Sequence, residues 1–297
     1  MDGSVDVYLI DGTYELFRHF FALPSHRTAA GEEVAAARGV LGYLLSLLES
    51  GVTHFGVATD HVVESFRNEL WAGYKTGAGI DPLLWSQFPI LEDGLSALGV
   101  TVWPMTDLEA DDGLAAAALF AAAQPEVARV LICSPDKDLA QMVSDGRVVQ
   151  RVDSRTGAIR DEAGVVKRFG VSPTSIADYL ALVGDRSDGF PGLPGWGAKS
   201  AAALLFRYGH LDAIPEDAAA WDVTVRGAEK LAATLRDNRD LALLFRDLAT
   251  LRTHEPALAS LEELRWLGPT PGFVDFAARL EQPQLLERAQ ALARQGL

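Results

Sequence analysis

Val5-Asp6-Val7-Tyr8-Leu9-Ile10-Asp11-Gly12 is a short apolar run that stops on an acid and a glycine. It reads as a strand over 5–10 that turns into a helix carrying Phe17 and Phe21. The same pattern returns downstream. The run 54–59 ends at Asp60, and 129–133 runs into Ser134-Pro135-Asp136. Helical spacing covers 34–48, with Gly51 as a stop, and 82–98, closed by Gly99. An alanine-rich helix is expected over 109–123, a short helix over 137–143, and further strands over 101–103 and 148–152. Strands alternating with helices long enough for crossovers predict an α/β fold with a mainly parallel central sheet flanked by helices. Ligands of such sheets bind outside the carboxyl ends of the strands, so Asp11, Asp60 and Asp136 should gather at one edge. The stretch 67–82 is Gly-rich and poorly periodic, which predicts a mobile segment. Beyond residue 165 only helices are expected, over 176–183, 199–208, 226–235 and 240–251, with Pro and Gly clustered between 189 and 197. The tail 264–297 has mixed patterning and is expected to pack back on the sheet.

Nine acids stand beside apolar runs: Asp11, Asp60, Glu109, Asp111, Asp112, Asp136, Asp138, Asp185 and Asp188. Carboxylates drawn into one pocket repel, and some bind protons unless cations neutralise them. A carboxylate cage without His or Cys suits Mg²⁺ or Mn²⁺. It also suits phosphodiester hydrolysis, in which two ions clamp the attacking and leaving oxygens. Each segment has a plainer reading. Glu109-Ala110-Asp111-Asp112 fits the dipole preference of a helix start. Ser134-Pro135-Asp136-Lys137-Asp138 fits a capped turn, and Gly184-Asp185-Arg186-Ser187-Asp188 a solvated loop. Three acids in four positions exceed what a dipole needs, and the sheet topology favours convergence.

The 297 residues leave room for a large domain and a small one, and 48% hydrophobic content is ordinary for a globular core. The net charge of −15 argues against a uniformly basic DNA-binding surface. Metal would cancel part of it, leaving local basic patches to make salt-dependent contacts. Cys133, the single cysteine, falls in a predicted strand, so no disulfide forms within the chain. The start, Met1-Asp2-Gly3-Ser4-Val5, does not read as a signal peptide, and no run approaches a membrane span. A soluble, cytoplasmic protein that does not engage membranes is expected.

Gly192-Leu193-Pro194-Gly195-Trp196-Gly197-Ala198-Lys199-Ser200 is the sharpest local pattern. Ala198 stands where a P-loop needs Gly before Lys. A helix–hairpin–helix fits better than a plain interhelical turn. Gly192, Gly195 and Gly197 would let backbone approach a phosphate, and the helix start offers free N–H groups. Lys199 and Ser200 could add side-chain contacts to a duplex without reading its sequence. In the 67–82 stretch, Arg67 and Lys75 are candidates to hold a scissile phosphate, and Tyr74 to stack on a base. Arg18, on the first helix, could also face the site. The histidines show no metal-ligand spacing.

Together these segments resemble the 5′-nuclease family, which includes flap endonucleases, bacteriophage 5′-exonucleases and the N-terminal nuclease domain of bacterial DNA polymerase I. The resemblance rests on Ile10-Asp11-Gly12-Thr13 with Arg18-His19-Phe20-Phe21-Ala22-Leu23, and on Asp60 with Phe66-Arg67 and Tyr74-Lys75. It extends through Leu108-Glu109-Ala110-Asp111-Asp112, Asp136-Lys137-Asp138-Leu139, and Gly184 through Asp188 with Pro191 to Lys199. It implies a PIN-like catalytic core over 1–165 with an arch near 67–82. A helix–hairpin–helix (H3TH) subdomain would follow over 166–250, and a tail over 251–297 would return to the core. It also implies two or more ions. Asp11, Asp60, Glu109, Asp111, Asp112 and Asp136 look like the tighter site, and Asp138, Asp185 and Asp188 like the second. K⁺ is implied at the hairpin, and Arg18, Arg67 and Lys75 in catalysis. The expected activity is 5′–3′ exonuclease and flap endonuclease action in replication and repair, by a monomer. Its partners would be branched or 5′-ended DNA, including flaps, nicks and RNA primers. The alternatives are a non-catalytic binder of branched DNA and an RNA-directed nuclease on a related fold. Three departures stand out: Thr76-Gly77-Ala78-Gly79 follows Tyr74-Lys75 where an Arg is usual, Pro135 stiffens its turn, and Gly189-Phe190 replaces a usual Asn followed by an aliphatic or aromatic residue, with one loop hydrogen bond expected to be lost.

Overall fold

The computed structural model describes residues 4–144 and 146–295; Met1, Asp2, Gly3 and the last two residues of the tail lie outside the described ones. In chain order the first half holds β1 (Val5–Asp11), α1 (Gly12–Ala22), α2 (Ala35–Glu49), β2 (His54–Asp60), α3 (Phe66–Leu70), α4 (Pro82–Trp85), α5 (Gln87–Leu98), β3 (Thr101–Met105), α6 (Ala110–Ala122) and β4 (Val127–Cys133). The second half holds β5 (Val148–Arg151), β6 (Ile159–Arg160), α7 (Glu162–Phe169), α8 (Ile176–Val183), α9 (Ala198–Tyr208), α10 (Ala228–Asp237), α11 (Arg239–Ala249), α12 (Phe273–Arg279) and α13 (Pro283–Gln295). Two compact units result. The first comprises the chain up to Val63, Gly77–Ser134 and the stretch from Arg252 onward; the second comprises Glu64–Thr76 and Pro135–Leu251.

The first unit is built on parallel strands in the order β3-β2-β1-β4. Asp11 lies in register with Ala58, and Asp60 with Met105, so both acids end adjacent strands at the carboxyl edge. Helices α1, α2 and α5 bury Leu16, Leu41, Leu44, Leu45, Leu91 and Leu95 with Phe55 of β2 in one core. Part of the C-terminal stretch completes it through Phe273, Leu285 and Leu292. Trp266 is anchored there, its amide donating to the Thr53 carbonyl and its indole N–H to that of Leu98. The alanines of α6, with Gly113 beside Met105, let that helix lie close on the strands.

The second unit packs α8, α9, α10 and α11 around Leu180, Leu204, Leu205 and Phe245, and carries the antiparallel pair β5–β6. Three local expectations need correction. The mobile stretch begins with α3, because Ser65 and Asn68 form a capping box over its first turn. The single helix over 82–98 is broken between Trp85 and Gln87. Pro89, lacking an N–H, fits only in the first turn of a restarted helix. Strand β6 and helix α7 fall where no element was expected, although Asp161 caps α7 and Gly170 ends it in the left-handed region. Among the described residues no helix is long and apolar enough to cross a membrane.

Candidate metal centre

The second unit holds four of the nine acids, Asp136, Asp138, Asp185 and Asp188, and gathers the last three. Asp138, Asp185 and Asp188 each turn one carboxylate oxygen into a space where all three lie within 4.8 Å of one another. All three residues are buried. Asp138 opens a 3₁₀ turn whose geometry is set by Asp136, since Asp136 Oδ1 accepts the Asp138 amide at 3.0 Å. Asp185 follows α8 at Gly184, and its backbone closes a bridge with Phe190. Its Oδ1 accepts from the Ser187 amide and hydroxyl at 3.0 and 2.6 Å. The loop at Gly189-Phe190 is closed by its backbone: the Phe190 and Gly189 amides both donate to the Asp185 carbonyl.

Asp138 Oδ1 and Asp185 Oδ2 are buried and have no hydrogen-bond partner among the described residues. Lys137 Nζ stands 2.5 Å from Asp185 Oδ2, a charge neighbour without hydrogen-bonding geometry, and 3.0 Å from Ser187 Oγ. Lys75 Nζ lies 3.2 Å from Asp188 Oδ1. Burial drives the Asp138 carboxyl well above the usual carboxylate range, and Asp136, Asp188 and Asp185 push the same way. Burial works against the Lys137 ammonium, but Asp185, Asp136 and Asp138 together outweigh it and hold the amine above its ordinary value. Oxygen-only donors, clustered, buried and partly unsatisfied, form the ligand set of a hard divalent cation. The residues fit such an ion.

Five acids belong to the first unit. Asp11 caps α1 by accepting the Tyr14 amide at 2.8 Å, and its other oxygen accepts the Ser134 hydroxyl at 2.9 Å. Asp60 is pinned on both sides: its amide donates to Thr13 Oγ1, and its Oδ1 accepts the Ala110 amide, both at 2.8 Å. That bond ties the start of α6, with Glu109 and Asp111, to the carboxyl end of β2. Asp112 is fully buried and accepts two amides, from Glu109 at 3.0 Å and from Arg252 at 2.7 Å. Its carboxylate therefore has a structural task at the head of α6.

Two sequence expectations do not match the geometry. Arg67 is 2% exposed, and its guanidinium donates to the carbonyls of Leu248, at 2.7 Å, and Thr250, at 3.2 Å. It braces α3 rather than reaching for a phosphate, because backbone carbonyls from α11 and the residue after it claim its donors. Tyr74 is 4% exposed in the apolar core of the second unit, so its ring has no open face for a base. Arg18 binds Glu15 Oε2 through Nε at 2.8 Å and a terminal nitrogen at 2.5 Å. In the hairpin, Gly192 and Gly195 adopt φ of 70° and 81°, and Lys199 is exposed at the head of α9. Ser200 Oγ is occupied with the Gly197 backbone, accepting its amide and donating to its carbonyl. Sequence reasoning gave no separate role to Lys137 or Gly189. The signal for Lys137 was its place between two acids. Gly189, at φ 85°, lies so close to the Gly73 carbonyl that a Cβ would stand 2.0 Å from that oxygen.

Strand-end acids mark the parallel sheet of the first unit, the second unit carries a buried carboxylate cluster and a glycine hairpin, and comparison with known proteins gives the family. Residues 6–170 match the 5′-3′ exonuclease N-terminal resolvase-like domain, and residues 171–271 the 5′-3′ exonuclease C-terminal SAM fold. The chain belongs to the 5′-3′ exonuclease family. It is 39% identical over 261 residues to DNA polymerase I of Pseudomonas aeruginosa, an alignment covering 84% of this chain and 28% of the polymerase. It is 35% identical over 211 residues to a 5′-3′ exonuclease of Aquifex aeolicus, covering 70% of this chain and 71% of that one. It spans between 28% and 32% of the length of the DNA polymerase I relatives it matches. Among solved structures, the T5 D15 protein co-crystallised with metal ions shares the fold with a TM-score of 0.64 at 18% identity, covering 97% of this chain and 98% of that one. The catalytic core of Rad2 in complex with DNA substrate gives 0.61 at 15% identity, covering 97% and 91%.

Proposed function

We propose that this chain is a divalent-metal-dependent, structure-specific 5′-nuclease that hydrolyses phosphodiesters of 5′-ended or flapped DNA. The observation that carries the reading is the buried triad Asp138, Asp185 and Asp188, two of whose oxygens have no hydrogen-bond partner among the described residues. A divalent ion, Mg²⁺ or Mn²⁺, would be held there, and the strand-end acids Asp11 and Asp60 with Glu109 and Asp111 at the head of α6 are assigned to a further ion. Such ions supply water activation and charge neutralisation in phosphodiester hydrolysis. Lys75, beside Asp188, would offset charge that builds on the phosphoryl oxygens. Lys137 offsets the charge of Asp185 within the cluster. The hairpin around Gly192 and Gly195 offers backbone N–H groups and Lys199 to duplex phosphates.

The test is cleavage of 5′-labelled flap DNA with Mg²⁺ or Mn²⁺ against EDTA, using wild type and D185N. Metal-dependent release of short 5′ products, lost in D185N, is expected. Undiminished cleavage in EDTA overturns the reading, and stoichiometric binding without turnover at high enzyme concentration points to a binder of branched DNA.

A further inference from the structure

The segment from Arg147 to Arg168 is basic in an acidic chain, with six cations against three acids where the whole carries −15. Within it, β6 and α7 bring two arginines to one aromatic ring. Arg160 Cζ lies 5.5 Å and Arg168 Cζ 5.8 Å from the centre of Phe169. Arg160 donates to the neutral Gln150 side chain at 3.0 Å. Arg168 and Lys167 are exposed, and no carboxylate pairs with Arg160, Lys167 or Arg168 among the described residues. The dipole of α7 accounts for cations in its last turn. It does not account for Arg160, which arrives from β6 and is held below the ordinary arginine range by burial and by the charge of Arg168. Two like charges sharing a ring without an acid between them make an anion-binding surface.

Its position gives the anion. Gly170 ends α7 at φ 77°, and a Cβ there would stand 2.8 Å from Ala202 Cβ of α9. Lys199 lies three residues before Ala202, one turn toward the start of α9 on the same side. Gly170 therefore seats the end of α7, which carries Lys167 and Arg168, against α9, whose first turn carries Lys199. We propose that Arg160, Lys167 and Arg168 form a second phosphate-binding surface that extends the hairpin's grip along the backbone of a DNA duplex. This rests on the nuclease reading above and adds residues that neither the metal cluster nor the hairpin motif contains.

The experiment measures binding of the full chain to a fluorescein-labelled nicked duplex by anisotropy, in Ca²⁺, across a salt series. Wild type is compared with R168E, R160Q/R168Q, K199A and the control R236A on α10. R168E should weaken binding about tenfold at 0.1 M salt. R160Q/R168Q should lower the slope of log K against log salt by about two, near 0.9 for each lost phosphate contact. R236A should match wild type. Thermal melts accompany each variant; if R160Q/R168Q is destabilised, the exposed substitutions R168E and K167Q carry the test. Wild-type affinity and slope in R168E, with K199A weakened, overturn the extended surface and leave the hairpin reading intact. Weakening in R168E with K199A unchanged supports the surface and removes the hairpin lysine from the grip. Failure of wild type to bind the duplex overturns both.

Discussion

Replacing Asp138 with Asn should stabilise the metal-free protein and remove most of its stabilisation by divalent ions. The three carboxylate oxygens lie within 4.8 Å of one another. At an effective dielectric of about 20, each ionised pair at that separation costs about 3.5 kcal/mol. Asn removes two such pairs. The gain is capped at about 5 kcal/mol near pH 7.5, because beyond that cost the Asp138 carboxyl binds a proton instead. Asn must also be desolvated, and Lys137 loses a partner, so about 3 kcal/mol is expected. For a chain of this length that raises the melting temperature by about 6 °C in EDTA. The pH dependence has a definite sign. The Asp138 carboxyl is raised in the folded state. The unfolded chain therefore loses its proton first, and wild type loses stability relative to D138N as pH rises above about 3.9, until the folded carboxyl titrates. The gap between the two melts should be larger at pH 8 than at pH 5. With Mg²⁺ or Mn²⁺ at a hundred times its dissociation constant, wild type should gain about 2.7 kcal/mol, and D138N a small fraction of that. Differential scanning fluorimetry in EDTA and in metal reads both effects. A D138N protein that melts below wild type in EDTA, or that gains equally from the ion, refutes the buried-cluster argument.

Arg67→Ala should destabilise the second unit by about 3 kcal/mol, because the Leu248 and Thr250 carbonyls lose their donor and a cavity opens; urea unfolding followed by tryptophan emission reads it. Asp112→Asn should cost about 2 kcal/mol in EDTA as well as in metal, since one of the Glu109 and Arg252 amides would then face an NH₂ group. A metal-only effect on its melting temperature would contradict that role. Gly189→Ala should lose about 3 kcal/mol or more, through the positive φ and the contact with Gly73; amide exchange of the Lys75 N–H, bonded to the Asp188 carbonyl, should accelerate with it.

The parallel core was legible because each strand is a short apolar run closed by an acid, and the helices between them keep a 3.6-residue period. The triad was legible from two local spacings, Asp136-Lys137-Asp138 and Asp185 to Asp188. Arg67 and Tyr74 were not. A cation beside a flexible-looking Gly-rich stretch reads as exposed, and only tertiary packing brings carbonyls more than 180 positions away to the guanidinium. Asp112 shows the same limit: an acid in a helix's first turn gives no local sign that an amide 140 positions distant will claim one of its oxygens. The break at Ser86 could have been read, since Pro89, seven positions after Pro82, lacks an N–H and suits only the first turn of a helix.

The seam between Gly73 and Gly189 has an optical consequence. Beside it, the Trp71 indole N–H donates to the Gly189 carbonyl at 3.1 Å, one residue from Asp188, and its ring meets Phe245 edge-on. An indole so placed is a native fluorophore wired to the loop that would carry the ion. Loading the cluster should shift its emission, so occupancy can be titrated by light in the unlabelled protein before any nucleic acid is added.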